Sequence, residues 1–588
     1  MSAHELITDH LDLWTGAVTQ KRSGGRGNNG KIELTGIKKL RELILELAVR
    51  GKLVEQDPND EPASMLLERI AEEKARLVKE GKIKKPKKLP EAALNDLPAP
   101  LPRGWVAVTL SHLGVFGGGK TPSKSKDEFW NGDIPWVTPK DMKFAEITDT
   151  EDHVTDAATA SGGLELLPQS AVLFVVRSGI LRRIFPTAIT RTQCTINQDL
   201  KALQLFKPNM ARYIQIMSWG FEGFILTNLT KTGTTVESLK FSDFASQAFP
   251  LPPLDEQHRI VEKVDELMAL CDRLEQQVGD QLEAHEVLVD TLLDALTRSA
   301  DAAKVGENWA RIAEHFDTLF TTEASIDKLK QAILQLAVMG RLVEQDPNDE
   351  PACVLLERIA EEKARLVKEG KIKRTKKLSD VSEDEMPFDL PTGWAWTHFE
   401  SIVDPKFTIS YGVLVPGPDT ENGVPFVRVA DLSVRNPSEY PEKTISHEVD
   451  KKFSKTRLHG GEILLCVVGS IGKLGIAPSS WKGANIARAI CRIMPTKLVS
   501  KNYILMLLQT EFMQDRFGKD TRTLAQPTLN IGLIRSATTP LPPYDEQQRI
   551  IEKVDELIAL CDQLKARLGE AGETRTHLAE AVVEQAVS

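Results

Sequence analysis

A near-verbatim internal repeat constrains this chain more than any other feature. Residues 51–85 recur at 340–374 with 31 of 35 positions identical, including the stretch from Gln56 to Pro62 that returns as Gln345 to Pro351. Self-similarity of this length marks a tandem duplication, and the duplicated unit must be a structural one. The same offset of 289 carries Leu101–Trp105 onto Leu390–Trp394, and an offset of 290 carries 255–272 onto 545–562. The N-terminus takes part as well, because Ile7, His10 and Asp12 echo Ile312, His315 and Asp317. Between the copies the likeness vanishes. Residues 104–250 and 393–540 share little beyond their edges, each starting after a Pro-x-Gly-Trp-type sequence and ending at Leu-Pro-Pro. A constant frame that holds two divergent inserts of nearly equal length is built to present two different binding surfaces in one fixed geometry.

At 588 residues the chain exceeds what one hydrophobic core supports, so several domains are expected. The repeat divides it into an N-terminal helical region (1–103), a first insert (104–250), a central helical region (251–392), a second insert (393–540) and a C-terminal helix (541–588). After each Leu-Pro-Pro, apolar residues recur at alternating spacings of four and three: Ile260, Val264, Leu267, Cys271, Leu274 and Val278, then Ile550, Val554, Leu557, Cys561, Leu564 and Leu568. That is a coiled-coil seam. In the first copy it continues to about Leu296, giving a helix of about 40 residues and about 60 Å. Ala63–Lys79 reads as a second amphipathic helix, and the Gly-rich stretch Lys21–Lys31 as a solvated connector. The inserts differ in character. Ala171–Gly179 and Glu462–Ser470 are short, β-branched and glycine-bounded, as buried strands are, and helical pieces follow at Arg212–Trp219 and Lys501–Met513. The expected fold is therefore mixed α/β: two globular α/β domains separated by long antiparallel coiled-coil helices, in a tandem pseudo-two-fold repeat.

Net charge is −10, which taken alone argues against a polyanionic ligand. Its distribution reverses that reading. Residues 104–250 hold 14 basic and 14 acidic side chains and residues 393–540 hold 18 and 13, leaving 42 against 57 for the frame. No stretch has the apolar length of a membrane helix and the N-terminus lacks the features of a signal peptide, so a cytoplasmic protein is expected. Six scattered cysteines without a CxxC pair indicate neither a disulfide framework nor zinc, and read as small buried apolar groups.

Several motifs suggest catalysis and fail on inspection. Gly114–Thr121 satisfies the P-loop pattern, but Pro122 and a polar run follow where a helix must begin. Leu541-Pro-Pro-Tyr544 resembles the amino-methyltransferase motif, yet leucine cannot accept the hydrogen bond that the motif's first residue makes. The 11 histidines show no metal spacing. The chain is expected not to be an enzyme and to bind no cofactor itself.

What recurs in the inserts is polar loops beside strands. The first insert offers Lys120, Thr121, Ser123, Thr138, Lys140, Arg177, Arg182, Lys231 and Thr232; the second offers Tyr411, Arg428, Arg435, Lys473, Arg522 and Gln526. Glycine-rich amides, hydroxyls and cations of this kind contact phosphates, and Arg, Lys, Gln and Thr read base edges. Double-stranded DNA is the expected ligand. A coiled-coil scaffold that displays two protein-binding domains is the alternative, and it gives no reason for divergent inserts in one frame.

The order of repeat, insert, repeat, insert and helical tail resembles the specificity subunits of type I restriction-modification enzymes. The residues that carry the resemblance are Gly118-Gly-Lys-Thr-Pro122, Gly132-Asp-Ile-Pro-Trp136, and Leu-Pro-Pro-x-Asp-Glu-Gln at 251–257 and 541–547; the long Gln-Asp-Pro-Asn-Asp-Glu-Pro repeat is similar to that of an enterobacterial subgroup. The second insert departs from the first tag, with Pro416-Gly-Pro instead. The resemblance implies that each insert is a target-recognition domain reading half of a split, asymmetric site. It implies that the helices set the spacer and dock two modification subunits, which use S-adenosylmethionine to methylate adenine. Further restriction subunits use ATP and magnesium. Methylating a base inside a duplex requires flipping it out, so deformed DNA is the expected ligand state.

Overall fold

The repeated residues are those that bind one another. In a computed structural model, which describes residues 7–20, 32–83, 97–160, 163–233, 236–299, 302–373, 379–519 and 528–587, each insert opens and closes on a two-stranded antiparallel ribbon. Val106–Thr109 pairs with Ala248–Leu251, and Ala395–His398 with Thr538–Leu541. A ribbon of two edge strands tolerates Pro250 and Pro540, which a central strand would not. Two further prolines stop each closing strand, and a long helix starts at once, Leu254–Thr297 in the first copy and Tyr544–Val587 in the second, each of 44 residues.

The Asp-Glu-Gln that follows the prolines fastens this corner. Gln257 donates its amide to the Pro252 carbonyl at 2.9 Å, and Gln547 to Pro542 at 3.0 Å. Glu256 accepts the Trp105 indole N–H at 2.9 Å, and Glu546 that of Trp394 at 3.0 Å. Arg259 forks onto Asp60 and Arg549 onto Asp349, which accounts for one acid of the long repeat in each copy. Gly51 and Gly340 both sit at φ +67°, and a Cβ on either would lie 2.6 or 2.4 Å from the ring of Pro102 or Pro391. Burial raises the Glu256 and Glu546 carboxyls above the usual range, against the opposing pull of the indole donor. Removing that donor leaves a buried acceptor unsatisfied, so Trp105→Phe and Trp394→Phe are each expected to cost about 1–3 kcal/mol in urea denaturation. Because the two bonds are alike, the two losses should agree to within about 0.5 kcal/mol.

Two compact units result, one of residues 1–281 with 570–588, the other of residues 282–569. In the first, strands Gly114–Gly118, Leu200–Leu205, Val172–Val175, Thr187–Thr190 and Glu146–Ile147 form a five-stranded sheet in that order. Trp130–Val137 lies centrally in a three-stranded sheet, between Thr195–Ile196 and His153–Val154. Phe174, Phe185, Phe244 and Phe249 pack with ring centroids 5.3–6.3 Å apart to form an aromatic core. In the second unit, Ile463–Cys466 lies between Leu474–Ile476 and Ile490–Ile493, and Val424–Val427 between Lys443–Ile445 and Asn485–Ile486. The fold is mixed α/β, with two sheet-rich domains separated by a long helix.

The helix Ala63–Lys79 has the ends expected of it. The apolar seam is buried at Ile260, Val264, Leu267 and Cys271, on a stretch of helix that Arg41 of the helix Thr35–Val49 pairs with through Asp272 and Glu275. In the second unit Lys330 pairs with Asp562, and Lys565 with Asp327. His10 and His315 precede short helices with the same backbone angles, φ −114° and ψ near 20°, so the N-terminal echo is structural. Two expectations need correction. The helical piece over Lys501–Met513 breaks at Thr510, whose extended backbone separates Lys501–Gln509 from Glu511–Lys519. Five cysteines are buried but Cys353 is exposed, because it replaces Ser64 on the wet face of its helix. The Lys21–Lys31 connector lies outside the described residues.

Candidate nucleic-acid interface

In the first insert, strand register gathers the chosen residues at one end of the sheets. Leu200 sits opposite Val175 and Lys201 opposite Gly118, so the chain leaving two strands, at Lys120 and Arg177, meets the chain that begins the strand between them. Thr195 and Ile196 run parallel to Trp136 and Val137, which brings Thr138 and Lys140 to the same end. Ser238 pairs with both Arg177 and Lys231. The loop that holds Lys120 is anchored by its backbone, with Lys120 N–H donating to the Ile196 carbonyl and the Trp136 indole donating to the Lys120 carbonyl, each at 3.1 Å. Gly114–Gly118 is a strand and no helix begins at Lys120 or Thr121, so the P-loop geometry is absent here.

Individual side chains differ in how free they are. Lys120, Lys140 and Lys231 are exposed and form no ion pair among the described residues. Thr121 donates its hydroxyl to Gln198, and Ser123 bonds Ser125. Thr138 is turned inward, with its amide and hydroxyl both bonded to Asp141 Oδ2 at 2.8 Å. Arg177 lies 3.6 Å from Asp199, and Arg182 donates to Glu237 at 2.8 Å. Thr232 is exposed.

The second insert repeats this design with other side chains. Val413 N–H donates to the Ile486 carbonyl at 2.8 Å as Lys120 does to Ile196, so Gly412 holds the place of Gly119. The tag glycine is therefore Gly412, and Pro416-Gly-Pro lies beyond it. Arg428 stands where Thr138 does, its amide bonded to Asp431 Oδ2 at 2.7 Å. Its guanidinium also pairs with Asp431 and Glu442, and the Asp431 hydrogen bond raises its pKa further. Lys473 donates to the Val429 carbonyl at 2.8 Å, and the Tyr411 hydroxyl donates to the Leu529 carbonyl at 3.2 Å. Arg435 is apart from these, bonded to Asp562 of the long helix at 2.7 Å beside a cavity of about 730 Å³. Burial alone would raise the Asp562 carboxyl; Lys330 and Arg435 outweigh it and hold it below the usual range. Arg522 and Gln526 lie outside the described residues.

Sequence reasoning missed Asp141 and Asp431, which close the strand-end loops, and also Gln198 and Arg488, which follow the strands Thr195–Ile196 and Asn485–Ile486. The frame's own offset of 290, carried into the inserts, relates Thr138 to Arg428, Asp141 to Asp431 and Gln198 to Arg488. Among the described residues, no group of three or more His, Cys, Asp or Glu side chains is placed to hold a metal, and no helix is long and apolar enough to cross a membrane.

The chain matches the family described as the type I restriction modification DNA specificity domain over residues 102–284 and 417–571. Two Escherichia coli proteins, the type I restriction enzyme EcoEI specificity subunit and its EcoAI counterpart, are each 38% identical across the full length of both chains. The EcoBI specificity subunit, also from Escherichia coli, is 26% identical over 61% of each chain. A match that spans the first insert and most of the second, together with relatives 38% identical from end to end, means that this chain belongs to the type I restriction-modification DNA specificity family.

Proposed function

We propose that the chain is the DNA-reading specificity subunit of a type I restriction-modification enzyme, without a catalytic centre of its own. Residues 104–250 and 393–540 are its two target-recognition domains, each reading half of a split, asymmetric site. The frame of 1–103, 251–392 and 541–588 sets the spacer and docks two modification subunits. Those partners supply S-adenosylmethionine chemistry on adenine, and restriction subunits supply ATP- and magnesium-dependent cleavage, all in the cytoplasm where the DNA is.

One observation carries this reading: matching backbone hydrogen bonds at the strand ends of both inserts hold different side chains, Thr138 against Arg428 and Lys120 against Val413. Two reading heads of one design and different specificity need that arrangement. A protein-binding scaffold has no use for it. An acidic frame suits protein partners, and the basic second insert suits DNA.

The test is to co-express the full chain with modification subunits and map adenine methylation across a genome, with and without exchange of residues 104–250 for another insert. A bipartite motif in which only one half changes is expected. Methylation with a motif indifferent to the exchange refutes the reading.

A further inference from the structure

The position two residues past the short strands Thr195–Ile196 and Asn485–Ile486 is firmly mounted at the candidate interface of each insert. In the second insert, Ala487 N–H donates to Val427 and Arg488 N–H to Val413, while the Ala489 carbonyl accepts from Val467, all at 2.8–3.0 Å. Three consecutive residues are thus tied to three different strands or strand ends. In the first insert, Asn197 N–H donates to Val137 at 2.9 Å and the Asp199 carbonyl accepts from Val176 at 2.8 Å, which places Gln198 in register with Arg488.

The Arg488 side chain is free to bind, and that of Gln198 has one hydrogen bond. Every other described arginine of residues 393–540 is engaged. Arg428, Arg435, Arg457 and Arg535 pair with carboxylates, Arg492 with backbone carbonyls, and Arg516 with the Thr538 hydroxyl. Arg488 is exposed and makes no side-chain hydrogen bond or ion pair among the described residues. Gln198 is exposed too, held only through the Thr121 hydroxyl.

Resting on the reading above, we propose that position 198/488 is a base-reading position, with Arg488 gripping a guanine and Gln198 an adenine in their respective half-sites. Arginine matches O6 and N7 of guanine, and glutamine matches N6 and N7 of adenine, each through two hydrogen bonds in the major groove. A planar, two-pronged group on a rigid base is what such a contact requires. A phosphate contact needs only charge, which in the first insert the exposed lysines at 120, 140 and 231 supply.

The experiment uses the full chain assembled with modification subunits. It reads the methylated motif in cells and the competition between oligonucleotides that differ at single base pairs of the half-site read by 393–540. Arg488→Ala and Arg488→Lys are both expected to lose about 10- to 100-fold of discrimination at one G·C pair, with the other half-site unchanged. Gln198→Ala should do the same at one A·T pair of the first half-site. The lysine variant is decisive, since it keeps the charge and loses the fork. If Arg488→Lys leaves the motif intact while Arg488→Ala weakens binding equally for all sequences and lowers its salt dependence, the residue touches phosphate and the inference is overturned. An unchanged motif in both variants also overturns it. Exchange of the whole 393–540 insert separates the two levels: if its half-site changes, the specificity reading stands whatever Arg488 does, and if it does not, that reading has failed.

Discussion

Gly119→Ala is expected to abolish recognition through the first insert while leaving the second insert's half of the site intact. A Cβ at this position would lie 2.0 Å from the Asn197 carbonyl oxygen and 2.1 Å from that of Ile196. Neither oxygen can yield. Ile196 is paired with Val137 in a parallel ladder, and Asn197 is bonded to the Val137 carbonyl. The loop must move instead, and it then loses both the Lys120 N–H bond to Ile196 and the Trp136 bond to the Lys120 carbonyl. Two broken hydrogen bonds and a displaced strand end cost about 2–3 kcal/mol, and specific binding through that half should fall at least about 30-fold. Gly412→Ala should do the same to the other half, because its Cβ would sit 2.0 Å from the Ile486 carbonyl oxygen. Gly279→Ala is the control. Nothing lies within 4 Å of its Cβ on the exposed side of the long helix, and the change should stabilise by about 0.5–1 kcal/mol. Footprints of the assembled complex on its methylated site read all three. Wild-type affinity in Gly119→Ala would mean that the Lys120 loop plays no part in recognition.

The frame was legible in the sequence because its contacts join residues that are themselves repeated. Glu256 with Trp105, Arg259 with Asp60 and Gln257 with Pro252 all have counterparts in the second copy, so the repeat displays the bonding partners together. The long helix and Ala63–Lys79 were legible through their apolar period. The interior of the inserts was not, since the bonds that shape the interface join residues such as Lys120 and Ile196, 76 positions apart with no local pattern to mark them. Choosing polar residues near glycines picked out residues that the strand register brings to one end of the first insert's sheets, but could not grade them. Arg435, which looks as available as Lys120 in the sequence, is claimed by Asp562 of a helix more than a hundred residues away. The Asp431 that neutralises Arg428 is only three residues from it, and that spacing recurs at Thr138 and Asp141. A comparison of the inserts at the frame's offset would have found it.

Ending the chain after Gly569 is expected to destabilise the N-terminal unit and not the unit that the truncated helix starts in. Residues 570–588 belong with residues 1–281, and the distal end of the first long helix, from Leu282, belongs with the second unit. There Val289, Leu293 and Leu296 are buried in one cluster with Ile312, Leu319 and Phe320. By the repeat, the C-terminal helix end plays that part for the segment that carries the buried Ile7 and Trp14. It meets that segment where Arg575 and Gly572 approach Gly16 and Val18, and further along Lys52 donates to the Ala586 carbonyl. Ala579 on the same helix end is fully buried. Losing this cover exposes apolar side chains at about 1.5–3 kcal/mol each, so the first unit should lose several kcal/mol. The helices Thr35–Val49 and Glu323–Val338 occupy equivalent places in the two units, which makes amide hydrogen exchange in them a matched pair of reporters. Protection should fall in the first and hold in the second. Equal loss in both would mean that the C-terminal helix end stabilises the chain as a whole, and no loss in either would mean that the first unit is closed without it.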